Sequence, residues 1–153
     1  MTTKIYMAYG SNLNKGQMDY RCPNAEALGY TLFPNHRLVF RGVADMIPAK
    51  GFKCPVGLWR ITEECEERLD IYEGFPTLYR KEYFNKKIDG KQELLMAYVM
   101  NSTGIQPPNS GYYDAIAEGY NDFGIDLIYL EHALTHSHKY KSGTGHTPKR
   151  YRA

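Results

Sequence analysis

The chain has 153 residues, with 19 Lys and Arg against 17 Asp and Glu and a net charge of +2. That length suits one domain with a real core, and the near balance of charge gives no argument for a nucleic-acid or membrane partner. Cys22, Cys54 and Cys65 are odd in number and form no Cys-x-x-Cys pair, so no disulfide framework is expected and a reducing, cytoplasmic setting is.

The N-terminus passes straight into a strand pattern without a leader signature, and the longest apolar runs are far short of a membrane span. Ile5 to Tyr9 reads as a buried strand, and Gly10-Ser11-Asn12 then turns the chain. Asn14 is spaced to cap a short helix from Lys15 to Tyr20 through Gln17. The amides of residues 10 to 14 would then converge on an anion, a cradle suited to a carboxylate. A P-loop is excluded, because Gln17 follows Gly16 where lysine is required.

Ala27 to Phe40 reads as two strands joined by a turn at Pro34-Asn35. Asp45 to Lys53, with Pro48 and Gly51, reads as a surface loop, and Pro55 to Ile61 as a strand paired to the first. Thr62 is an N-cap, and Cys65, Leu69 and Tyr72 repeat at helical spacing up to a stop at Gly74. Glu73 thus falls at the negative end of a helix dipole, which raises its proton affinity.

Tyr79 to Ile88 and Glu93 to Met100 form a hairpin about Asp89-Gly90, the second arm buried on both faces. Tyr113, Ile116, Tyr120 and Phe123 mark one helix, ended by Gly124. Asp126 caps another, with Leu127, Leu130 and Leu134 as its buried stripe. His132 and His136 stand one turn apart but lack further ligands, and a helix C-terminus favours histidine without a metal. Residues 1–138 form the domain, and 139–153 read as a basic, mobile tail. Period and composition place strands first and helices later, an α+β chain.

Two stretches stand out together: Tyr9-Gly10-Ser11-Asn12-Leu13, and Leu69-Asp70-Ile71-Tyr72-Glu73-Gly74-Phe75-Pro76 followed by Tyr79-Arg80-Lys81. The pair resembles the γ-glutamylcyclotransferase family. The resemblance spans nearly the whole chain to His136 and implies a mixed, strongly curved β-sheet that closes toward a small barrel with peripheral helices. It implies a small-molecule γ-glutamyl substrate, cyclised to 5-oxoproline with release of the amine or amino acid, and no cofactor. Glu73 would be the acid and base. Tyr9, Gly10, Ser11, Asn12 and Leu13 would hold the substrate carboxylate or the developing oxyanion, and Tyr79 and Tyr112 would line the pocket. Tyr112 is preferred to Tyr113 because it lies off the helix's core stripe. The leaving group stays open, and a homodimer is the assembly considered. The competing reading is a ligand-binding or regulatory module on the same fold, without turnover.

Overall fold

The computed structural model describes residues 2–142. Its centre is β1 (Thr3–Ala8), whose last four residues are all buried. It pairs antiparallel with β3 (Ala44–Thr62) on one side and parallel with β5 (Lys91–Met100) on the other. With β2 (Glu26–Phe40) and β4 (Tyr79–Ile88) the five strands run in the order β2-β3-β1-β5-β4. The architecture is thus α+β with a mixed sheet. The sheet does not close, yet its curvature brings the edges together through side chains. The Phe84 ring of β4 lies 5.0 Å from Phe33 and 5.5 Å from His36, both on β2.

The expected turn at Pro34-Asn35 and the expected loop from Asp45 to Lys53 are both overturned, since β2 and β3 pair as one long hairpin from Phe40–Ala44 out to Glu26–Arg60. Asn35, at φ +58°, takes up a register shift between Pro34 and His36, and its Oδ1 accepts from the Gly51 amide across the ladder at 3.1 Å. Turn-forming residues here make a bulge inside continuous strands, and the partner strand decides between the two outcomes.

Three of the four described α-helices open on a capping side chain. The last, for which Asp126 was expected as the cap, has Leu127 at that position, and Asp126 Oδ1 accepts from the Ile128 amide at 2.9 Å. Asn14 accepts from the Gln17 amide at the start of α1 (Lys15–Arg21), and Thr62 from the Cys65 amide at the start of α2 (Glu63–Glu73). Gly74, at φ +66°, ends α2 in the left-handed conformation open to glycine. Asn109 caps α3 (Ser110–Phe123). In α4 (Ile128–Lys139) the buried stripe is Leu130, Ala133 and Ser137, whereas Leu127 is exposed. The helix starts beyond Leu127, so the stripe expected from it is displaced. Past α4, Ser142 is hydrogen-bonded to Ile105 through both its amide and its hydroxyl, and the tail expected to be mobile otherwise lies outside the described residues.

Cys22 and Cys65 form a disulfide, with Cα atoms 5.2 Å apart, and Cys54 is free and buried. The cysteines were expected to form no disulfide framework, and the single Cys22–Cys65 bridge corrects the reading drawn from their number. Pairing depends on a separation that the end of α1 and the first turn of α2 reach only in the folded chain, so the cysteine count does not argue for a reducing compartment. None of the described helices is long and apolar enough to cross a membrane.

Candidate active site

The end of β1, the loop after it and the end of α2 meet around a cavity of about 80 Å³. The chain leaves β1 through Gly10 into a single 3-10 turn, Ser11–Leu13. Gly10 has a φ of −117°, so its backbone angle does not require glycine. Space favours it, because a Cβ there would lie 3.1 Å from both Ala44 Cβ and the Tyr112 hydroxyl, which would have to give by a few tenths of an ångström. The loop is fixed from behind, where Trp59 Nε1 donates to Asn12 O at 3.0 Å and Asn14 Nδ2 to Ala115 O at 3.0 Å.

Of the residues expected from sequence, Tyr9, Gly10, Ser11, Asn12, Glu73, Tyr79 and Tyr112 all border this cavity. Leu13 does not. Its side chain is fully buried and fills the space over Gly57, where a Cβ would meet Leu13 Cδ2 at 2.5 Å. Its amide donates to Gly10 O at 3.0 Å, and the Asn14 amide to Ser11 O at 3.0 Å. The expected cradle over residues 10 to 14 therefore narrows to the amides of Gly10, Ser11 and Asn12. The Ser11 hydroxyl is hydrogen-bonded to the Tyr72 hydroxyl at 2.9 Å.

The tyrosines form the wall, each with its polar tip engaged. Tyr9 donates to the Tyr98 carbonyl in a short hydrogen bond. Tyr79 donates to Ala44 O at 2.8 Å, and Tyr112 accepts from Ala44 N at 3.0 Å, so two phenols grip the backbone of one residue of the β2–β3 hairpin. Tyr98 donates to Asp70 Oδ1 at 2.6 Å. Burial holds the phenols of Tyr6, Tyr9, Tyr79 and Tyr98 protonated. They give the cavity apolar faces with fixed, neutral hydroxyls.

Glu73 is the acid of this wall. The residue as a whole is half-buried, but its carboxyl is enclosed by the tyrosines, and this burial pushes its pKa from 4.5 up to about 8. The Arg21 charge acts in the opposite direction and is outweighed. Sequence gives the direction of the shift through the helix end. In the structure the larger cause is desolvation. Asn12 Nδ2 donates to Glu73 Oε1 at 3.3 Å and to the Tyr6 hydroxyl at 3.0 Å.

Four participants escape sequence reading: Tyr6, Tyr72, Tyr98 and Arg21. Tyr72 adjoins Glu73 in the chain and carried a signal, although its helical spacing suggests core. Tyr6 and Tyr98 look like ordinary strand residues, and no local pattern separates Arg21 from the other basic side chains. Among the described residues no group of His, Cys, Asp and Glu is arranged to hold a metal ion.

A carboxyl kept protonated to near-neutral pH stands beside a glycine-serine-asparagine turn inside an aromatic enclosure, the concave, mainly apolar setting with a few polar groups in which perturbed acids cluster. A family model described as "Gamma-glutamyl cyclotransferase, AIG2-like" matches residues 6–119, and the chain belongs to that family. A search of curated proteins found no match. Among solved structures, one titled "Gamma-glutamyl cyclotransferase" superposes with a TM-score of 0.75 at 20% identity, covering 98% of this chain and 96% of its own. An uncharacterized Homo sapiens protein gives a TM-score of 0.73 at 20% identity, covering 99% of this chain and 96% of that one. YkqA from Bacillus subtilis gives 0.70 at 21% identity, covering 94% of this chain and 57% of its own. At such identities these likenesses establish the fold.

Proposed function

We propose that the protein is a γ-glutamylcyclotransferase that converts a γ-glutamyl amide to 5-oxoproline, with Glu73 as its acid and base. The observation that carries this reading is the Glu73 carboxyl bordering the cavity with the Gly10–Asn12 turn, where burial among the tyrosines pushes its pKa up to about 8. That shift brings it toward the range of the α-ammonium it would deprotonate, which favours one group serving as both base and acid.

The reaction needs no cofactor. Glu73 as carboxylate takes a proton from the substrate's α-ammonium, and the freed amine attacks the γ-carbonyl carbon of the same molecule. Collapse of the tetrahedral intermediate breaks the bond to the leaving nitrogen, which receives the proton from Glu73. The ring nitrogen gives up its second proton to the carboxylate so regenerated, which passes it to the departing amine or to solvent and leaves the neutral lactam N–H. Nucleophile and electrophile share one molecule, so the protein's part is to hold the folded conformer with the reacting atoms in near-attack geometry. The amides of Gly10, Ser11 and Asn12 are the donors for the carboxylate or the oxyanion.

The test is release of 5-oxoproline from γ-glutamyl-amino acids, γ-glutamylamines and glutathione. Turnover of at least one class is expected, and the best substrate identifies the leaving group. Binding of all three without turnover would support the alternative of a non-catalytic module.

A further inference from the structure

Arg21, the last residue of α1, is 7% exposed. A guanidinium so enclosed is costly unless its charge and donors are answered. It stacks on the Tyr72 ring at 3.6 Å from the centroid, while Nη1 donates to Asn12 Oδ1 and Nη2 to Gln17 Oε1, each at 2.9 Å. Its Nε is buried without a partner.

The bond to Asn12 has a directional consequence. An amide has one oxygen and one nitrogen end. With the oxygen on Arg21, the nitrogen faces the Tyr6 hydroxyl and Glu73 Oε1. The flipped amide would set its NH2 against the guanidinium and its oxygen against the carboxylate, two repulsive contacts. Arg21 thereby selects the Asn12 orientation that donates to the acid.

From these contacts we propose that Arg21 is a positioning residue of the site: through the Asn12 amide it keeps an N–H donor on the Glu73 carboxyl and supports its ionised form. The electrostatics agree, because burial drives Glu73 toward the protonated state and the Arg21 charge opposes it. The other titratable groups bordering the cavity with Glu73 are the phenols of Tyr6 on β1, Tyr9 after it, Tyr79 on β4, Tyr98 on β5 and Tyr112 on α3, with Tyr72 beside it on α2. Asp45 and Asp70 act on those phenols from behind. None of these supplies positive charge, which leaves that task to Arg21.

The inference is tested by titrating the Glu73 carboxyl with 13C NMR, its signal assigned by its loss in Glu73→Gln. Wild type, Arg21→Met, Arg21→Gln, Arg21→Lys, Asn12→Ala and the Arg21→Met/Asn12→Ala double variant are compared. Arg21→Met is expected to move the midpoint upward by about one pH unit, with Arg21→Gln behaving alike and Arg21→Lys restoring part of the shift. In the Asn12→Ala background the same substitution has a smaller effect. An unmoved midpoint in folded Arg21→Met or Arg21→Gln would overturn the proposal, and an equal shift with and without Asn12 would overturn the route through the amide. Should Met fail to fold, Gln and Lys decide.

A second readout rests on the cyclotransfer reading: the rising limb of the kcat/KM pH profile is expected to follow the same order. A purely structural role would lower Tm and leave both midpoints in place. Shifted NMR midpoints in a chain that turns over no γ-glutamyl compound would contradict the proposed reaction and leave the role of Arg21 standing.

Discussion

Glu73 in the folded protein keeps its proton to about pH 8, whereas its ordinary pKa is 4.5. Between those values the native state binds a proton that the unfolded chain has released, so this group's contribution to stability falls as pH rises through the window. Glutamine does not ionise and escapes that loss. Glu73→Gln is therefore expected to melt a few degrees above wild type at pH 9, with the gap closing toward pH 4.5. Melting curves across that range check it, and a gap independent of pH would mean that the carboxyl is not desolvated. At this scale Glu73 itself was legible, because its place before Gly74 and beside a helix end follows from local spacing. Arg21 was not, because its link to Asn12 crosses from α1 to the preceding loop and its link to Tyr72 crosses to α2.

Two contacts between elements govern how the loop meets its helices. Gly119 of α3 lies against the loop so closely that a Cβ would be 2.6 Å from both Asn14 N and Leu13 C. These are backbone atoms and cannot rotate away. Gly119→Ala is expected to destabilise by about 1–3 kcal/mol and to shift the Gly10–Asn12 turn, lowering both Tm and turnover. Retained Tm and turnover would contradict the close approach. The second contact is Cys22–Cys65, which closes a loop across a sequence separation of 43 between α1 and α2. The chain-entropy account gives such a crosslink a stabilisation of up to about 4 kcal/mol. Cys65→Ser, or reduction of the wild type, is expected to lower Tm, and an unchanged Tm with the thiols free would exclude a stabilising role.

Elements with strong local signals were readable from the sequence. The caps at Asn14 and Thr62 and the stop at Gly74 appear where capping chemistry places them. The β2–β3 hairpin was misread because Pro34, Asn35, Pro48 and Gly51 have the same local preferences in a bulged ladder as in a loop.

For the whole molecule, strand order depends on contacts between distant segments. The pairing of β1 with the Pro55–Ile61 part of β3 was expected, and its antiparallel sense was not. The parallel pairing of Ile5 and Tyr6 with Leu95 and Met96 carries no local mark, yet it brings Tyr98 toward the cavity. The edge-to-edge approach of Phe33 and Phe84 likewise emerges only from the curvature of the assembled sheet. The solved structure with a TM-score of 0.75 at 20% identity indicates how little of the sequence this architecture constrains. Its chemistry must accordingly be sought in the few residues at the cavity.

The central claim is that Glu73 moves the protons of a cyclisation. The most direct measurement is 5-oxoproline release from the best γ-glutamyl substrate by wild type and by Glu73→Gln, with the fold of both verified by Tm. A loss of about 10²–10⁴-fold in kcat is expected from removal of a general acid and base. Near wild-type turnover by folded Glu73→Gln would contradict the assignment.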